Sequence, residues 1–209
     1  MVWSNKVMIV LDKLLSVILL NVLWIIGSIA GLGVFGIFPA TYAVHSLIKE
    51  GEFSNDFPSF RKLAKEFFLA YKQKFLKMNG IGIIYFVLLY VLWIDLQLVR
   101  GMTVGSAFLY YPVLFFIIYV LATLIYTFPV ALYTKGTFKE KAKLVMTLPL
   151  LLPIQSISSL VFFLVLLAIA YKFSIIIPLL LISTYLLCID KFLSGELIKK
   201  GIIRGTENA

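Results

Sequence analysis

Charge is scarce in this chain, and so are the residues on which most chemistry depends. Asp, Glu, Lys and Arg make up 14% of its 209 residues, against about 25% in a soluble protein, so a water-soluble globular domain is excluded. The single cysteine, Cys188, cannot close an internal disulfide. Inside an apolar segment it reads as a small buried hydrophobe. The single histidine, His45, has no second histidine, cysteine or carboxylates at ligand spacing, so no metal site is expected and His45 reads as an interfacial hydrogen-bonding residue. Nucleophilic catalysis lacks a base and nucleophile pair, and phosphate chemistry lacks a glycine-rich Walker loop. The GLGVFG stretch follows an apolar helix instead of a strand, which removes the dinucleotide reading. No catalytic residue, cofactor or enzymatic activity is expected. The start, MVWSNKVMIVLDK, has no small-residue cleavage site after a compact apolar core, so the first apolar run is expected to stay as an anchor.

What is abundant is apolar surface. Hydrophobic residues reach 62% and the mean hydropathy is +1.03, values of an integral membrane protein. A helix needs about 20 apolar residues to cross hydrocarbon, because lipid offers backbone groups no partners. Five runs meet that standard, at about 14–36, 79–98, 107–133, 150–171 and 173–193. The first carries Gly31, Gly33 and Gly36 before Phe38-Pro39, so its helix should end or kink near Gly33 to Pro39, with Pro39 as the candidate hinge. In the fourth, Pro149 and Pro153 put the residues before 150 at the interface. The expected architecture is all-α: one polytopic transmembrane bundle over 1–209, with a cytoplasmic amphipathic helix at 60–77.

The formal charge of +9 comes from 19 Lys and Arg against 10 Asp and Glu, and the cations sit between apolar runs. Residues 49–77 hold seven of them, 135–143 four, and the tail Lys191, Lys199, Lys200 and Arg204, whereas Arg100 and Lys172 stand alone in the other turns. The positive-inside rule makes the three rich segments cytoplasmic, including the C-terminus. Nucleic acid is not a partner, since no recognition motif accompanies the charge. Five spans leave the N-terminus outside, which Lys6 and Lys13 oppose; a hairpin over 8–48 returning at the glycines gives six. A weak echo at an offset of 90 pairs Ser16 with Ser106 and Phe38-Pro39 with Phe128-Pro129, each closing an apolar run. It makes the first two spans the counterpart of the third and fourth.

Phe60, Leu63, Ala64, Phe67, Tyr71 and Phe75 recur at spacings of 3 and 4, with Arg61, Lys62, Lys65, Lys72 and Lys77 mainly elsewhere. Such a helix lies on anionic headgroups or docks a cytoplasmic partner, so Phe60, Arg61, Lys62, Lys65, Phe67, Tyr71 and Lys72 are the candidate contact residues. Asn21, close to Trp24, is expected to bond a neighbouring helix, as are Gln155, Ser156, Ser158 and Ser159. Asp95 and Arg100 reach the outer headgroups, and Asp190 beside Lys191 lies at the inner border. With no acidic residue expected near a bilayer centre, proton- or cation-coupled transport is weakened.

Asn21-Val22-Leu23-Trp24, then Phe38-Pro39-Ala40-Thr41-Tyr42, then Gly51-Glu52 and the helix from Phe60 resemble the YesL-like family of uncharacterised bacterial membrane proteins. The likeness runs over roughly 6–193 and is densest over 21–77. It implies a multi-pass plasma-membrane protein of bacteria, in the company of carbohydrate uptake systems, and brings no established site residues. Asn21, Trp24, Pro39, Tyr42 and His45 are the candidate hinge and packing residues. The leading expectation is an accessory protein that associates with carbohydrate ABC transporter subunits, and the alternative is a small-solute permease acting on oligosaccharides; an enzyme acting on lipid-linked sugar has the weakest support, because no acid pair faces a common cleft.

Overall fold

The computed structural model describes residues 2–50, 60–102, 106–173 and 180–202. Seven helices and no strand occur among them: α1 (Val2–Ala30), α2 (Val34–Lys49), α3 (Phe60–Arg100), α4 (Ser106–Tyr133), α5 (Phe138–Leu151), α6 (Pro153–Lys172) and α7 (Ile182–Lys199). Four are long and apolar enough to cross a membrane: α1 over Leu11–Ala30, α3, α4 over Phe108–Tyr133, and α6.

Three boundaries correct the sequence reading. The run at 14–36 is not one helix. It stops at Ala30, turns through Gly31, Leu32 and Gly33, and returns as α2. Leu32 and Gly33 both have positive φ, 57° and 75°, and the amide of Gly33 reaches the Ser28 carbonyl at 2.9 Å, closing the end of α1 as a left-handed cap does. The hinge is therefore this turn and not Pro39. That proline lies buried inside α2, where it costs one hydrogen bond without ending the helix. Phe128-Pro129 likewise lies within α4 instead of closing it. Second, the amphipathic stretch 60–77 and the run 79–98 are one continuous helix of 41 residues. Third, the fourth run starts at Pro153, in the first turn of α6, where a missing donor costs nothing; residues before it belong to α5. The third run matches α4. Part of the fifth, including Pro178, falls outside the described residues, and α7 continues past 193 to Lys199.

The chain divides into two compact units, Met1–Asn79 with Val161–Ala209, and Gly80–Leu160. In the first, α1 and α2 form an antiparallel hairpin whose small residues let the backbones meet. A Cβ added to Gly36 would stand 2.2 Å from the Ser28 carbonyl oxygen, and one on Gly31 would stand 2.3 Å from Gly36 Cα. Leu20, Leu23, Ala40, Val44 and Leu47 from the hairpin enclose Leu63, Phe67 and Tyr71 of α3 and Leu186 of α7. Phe162 stacks on Tyr185 with ring centroids 6.1 Å apart, and Phe163 meets the same ring tilted, at 4.8 Å. In the second unit α4 packs on α5, which starts with a reciprocal cap: Thr137 Oγ1 accepts from the Glu140 amide, and the Glu140 carboxylate accepts from the Thr137 amide at 2.8 Å. The apolar half of α3 is barely covered: Val87, Tyr90, Trp93 and Leu98 are all exposed. Exposure of this kind is what lipid contact produces.

Candidate functional site

Several polar residues of the first unit are buried and bond across its helices. Thr41 and His45, four apart, share a face of α2. Thr41 Oγ1 accepts from Trp24 Nε1 at 3.0 Å and donates to the Ile37 carbonyl at 2.8 Å. His45 Nδ1 lies 3.1 Å from Asp190 Oδ1 of α7, and both residues are buried. Asn21, fully buried, turns its side-chain oxygen to the start of α7, where it accepts from the amides of Ile182 and Ser183, each at 3.1 Å. One amide side chain of α1 thus satisfies two of the donors that every helix start leaves open. A further bond, from the Tyr71 hydroxyl to the Gly27 carbonyl at 2.9 Å, ties α3 to α1.

Chemically, the His45–Asp190 pair fixes the imidazole: with Nδ1 facing the carboxylate, ring orientation and tautomer are set by that bond. Among the described residues no group of three His, Cys, Asp or Glu side chains stands close enough to hold a metal ion. Tyr42 is also buried on α2; burial, reinforced by the Glu50 carboxylate, pushes its phenol up, so the hydroxyl stays neutral. In the second unit, Tyr126 reaches Ser156 Oγ at 2.9 Å and Tyr85 reaches Thr127 Oγ1 at 2.7 Å.

Sequence and structure part company at several residues. Asn21 and Trp24 do bridge helices, and Ser156 does the same through Tyr126. Asp190, expected at the inner border, is the buried partner of His45, 145 positions away, a pairing the sequence reading did not foresee. Both are ionisable residues within apolar surroundings, which was the one signal available in the sequence. Cys188, expected to be buried, is exposed on α7, because the covered stripe of that helix is Ser183, Leu186, Asp190, Leu193 and Leu197. Of the seven contact candidates, Phe60, Arg61, Lys62, Lys65 and Lys72 are exposed. Phe67 and Tyr71 are not: the stripe assigned to a partner or to lipid is covered by α1 and α2. Ser158 is exposed and bonds its own helix, with the Gln155 carbonyl accepting at 3.1 Å.

A family model described as a protein of unknown function, DUF624, matches residues 17–96. That span holds the second half of α1, all of α2 and most of α3, and ends well before Asp190. The uncharacterised protein YteU of Bacillus subtilis (strain 168) is 29% identical over 134 residues, which are 64% of this chain and 57% of that protein. The chain therefore matches little more than half the length of this relative. No solved structure matches. The chain is thus similar to an uncharacterised family over residues 17–96, and its apolar helices fit a membrane protein of unknown function.

Proposed function

We propose that the protein is a non-enzymatic accessory component of the bacterial plasma membrane, of the YesL-like kind, that associates with subunits of a carbohydrate ABC transporter and keeps its C-terminus in the cytoplasm. The observation that supports this reading is the outward face of the first half of α3. Lys62, Lys65, Leu69, Lys72 and Leu76 follow at spacings of 3 and 4 on the side away from the buried Leu63, Phe67 and Tyr71, and Leu69 and Leu76 are 49% and 85% exposed. Leucines set among lysines suit a partner surface that is apolar with an acidic rim. The link to carbohydrate uptake rests on the YesL-like resemblance. Pull-down of the tagged protein in mild detergent, with the pathway induced, should recover transporter subunits, and Leu69→Glu should lose them at unchanged expression. Recovery of none from the parent chain sinks the reading.

A second reading, a small-solute permease, draws on the buried His45–Asp190 pair, since ionisable pairs within apolar helices often mark transport pathways. Uptake of labelled oligosaccharide into vesicles holding this protein alone supports it; flat uptake removes it.

A further inference from the structure

Between Asp95 and Asp190 the sequence holds one carboxylate, Glu140, set among four lysines at 135, 139, 141 and 143. In the second unit that acid is already engaged, because the Thr137 amide donates to it in the cap of α5. Lys141 is engaged as well: half-buried, it donates to the Ala131 carbonyl at 3.0 Å, near the end of α4. Lys135, Lys139 and Lys143 are exposed, and among the described residues none of them forms an ion pair. Lysines four apart on a helix repel each other, so this corner favours an anion that the protein itself does not supply.

The same face turns apolar further along. Lys139, Lys143, Met146 and Leu150 follow at spacings of 4, 3 and 4, one stripe of α5, opposite the buried Val145, Leu148 and Pro149. Met146 and Leu150 are exposed by 59 and 65%, and Leu151 and Ile154 beyond them by 56 and 77%. Contacts with α4 orient the stripe. Lys141 meets α4 at Ala131, whereas the carbonyls of Met146 and Leu152 accept from the phenols of Tyr119 and Tyr126. The charged end of α5 therefore sits where the uncharged run Phe108–Tyr133 stops, and its apolar end lies beside the body of that run. From Lys139 to Leu150 the stripe is about 16 Å long at 1.5 Å per residue, close to half of the roughly 30 Å hydrocarbon layer, which is one leaflet. A water-soluble anion would satisfy the lysines and leave Met146, Leu150, Leu151 and Ile154 bare. A hydrocarbon chain alone would leave the lysines without a counter-ion.

We propose that the outward stripe of α5 binds an anionic phospholipid, its phosphate held by Lys139 and Lys143 and its acyl chain laid along Met146, Leu150 and Ile154. Lys135 adds its charge at the turn before the helix, and Phe138, 55% exposed at the first position of α5, lies at the level of the glycerol. Headgroup attraction and apolar burial add in such a site. The lipid also screens the two lysines from each other.

The test uses the full chain with Cys188→Ala and a bimane on Met146→Cys, in vesicles of phosphatidylcholine and phosphatidylglycerol. The Met146 side chain is mostly uncovered, so its replacement leaves the packing on α4 in place, and a bimane on Leu150→Cys gives a second reading of the same stripe. Phosphatidylglycerol brominated in its chains is expected to quench the bimane at a several-fold lower mole fraction than brominated phosphatidylcholine. Each nearby lysine contributes a factor of about five, so Lys139→Gln with Lys143→Gln should bring the two lipids close to equal, whereas Lys139→Arg with Lys143→Arg keeps the preference. Removing the same charge elsewhere, by Lys74→Gln with Lys77→Gln, should leave it unchanged, and inorganic phosphate added at constant ionic strength should not release the lipid. Equal quenching by the two lipids in the parent chain overturns the inference. So does a preference that survives in the glutamine pair, or one that the 74 and 77 pair loses to the same extent. Release by phosphate marks a site for soluble anions and overturns it too. None of these readouts depends on a transporter partner.

Discussion

Replacing Asn21 by leucine removes the single acceptor shared by the Ile182 and Ser183 amides while conserving most of the side-chain volume. The Ser183 amide is buried and the Ile182 amide part-buried; an unsatisfied buried donor costs about 1–3 kcal/mol, so the pair is worth about 2–6 kcal/mol if neither finds another partner. Rewinding of the π-type turn at 180–181 can recover part of this, which favours the lower half of the range. About 3 kcal/mol corresponds to roughly a hundredfold rise in local opening. Hydrogen exchange in nanodiscs should therefore speed up by that order at 182–184, and less at 193–197, where Leu193 and Leu197 hold α7 by burial. Asn21→Asp keeps an acceptor oxygen at the positive end of an 18-residue helix and should restore protection at 182–184. Unchanged exchange in Asn21→Leu would refute the idea that this side chain caps α7.

Gly36→Ala should destabilise the hairpin by about 3 kcal/mol or more, since its Cβ meets the Ser28 backbone and not a movable side chain; Gly80→Ala, with open space around it, should be neutral or gain about 0.5–1 kcal/mol of helix propensity, and thermal unfolding in detergent compares the two. Asp190→Leu should cost about 1.5–3 kcal/mol, the worth of a hydrogen bond to a charged group, and Asp190→Asn less, because an acceptor stays near His45 Nδ1; equal losses would show that volume and not the bond matters. In a double-mutant cycle, Tyr126→Phe and Ser156→Ala should couple by about 1 kcal/mol. Cys188, exposed on α7, should react with a lipid-soluble maleimide in the folded protein at a rate close to that after denaturation; slow labelling until unfolding would place another surface over that face.

Much of the helical content was legible because hydrophobicity over 20 residues is a local property. Asn21 and Trp24 were legible as helix bridges for a related reason: polar groups in apolar runs must find partners. Their partners were not, because Thr41, Ile182 and Ser183 are chosen by how the helices cross. The same holds for His45 and Asp190, and for Tyr71, whose aromatic ring fits an outward stripe as well as an inward one.

The sequence by itself pointed to the helices seen among the described residues and to a chain that fits a membrane, since 62% apolar residues are more than the interior of a protein of this size can hide. Only the tertiary structure decided which way each face points. Whether the first apolar run ends at a proline or turns at a glycine, and whether the stripe of α3 meets a partner or the hairpin, depends on contacts between segments far apart in the chain. At Gly31 and Gly36 the deciding quantity is the 2.3 Å that a single added Cβ would leave between them, a distance that exists only once α1 and α2 have met.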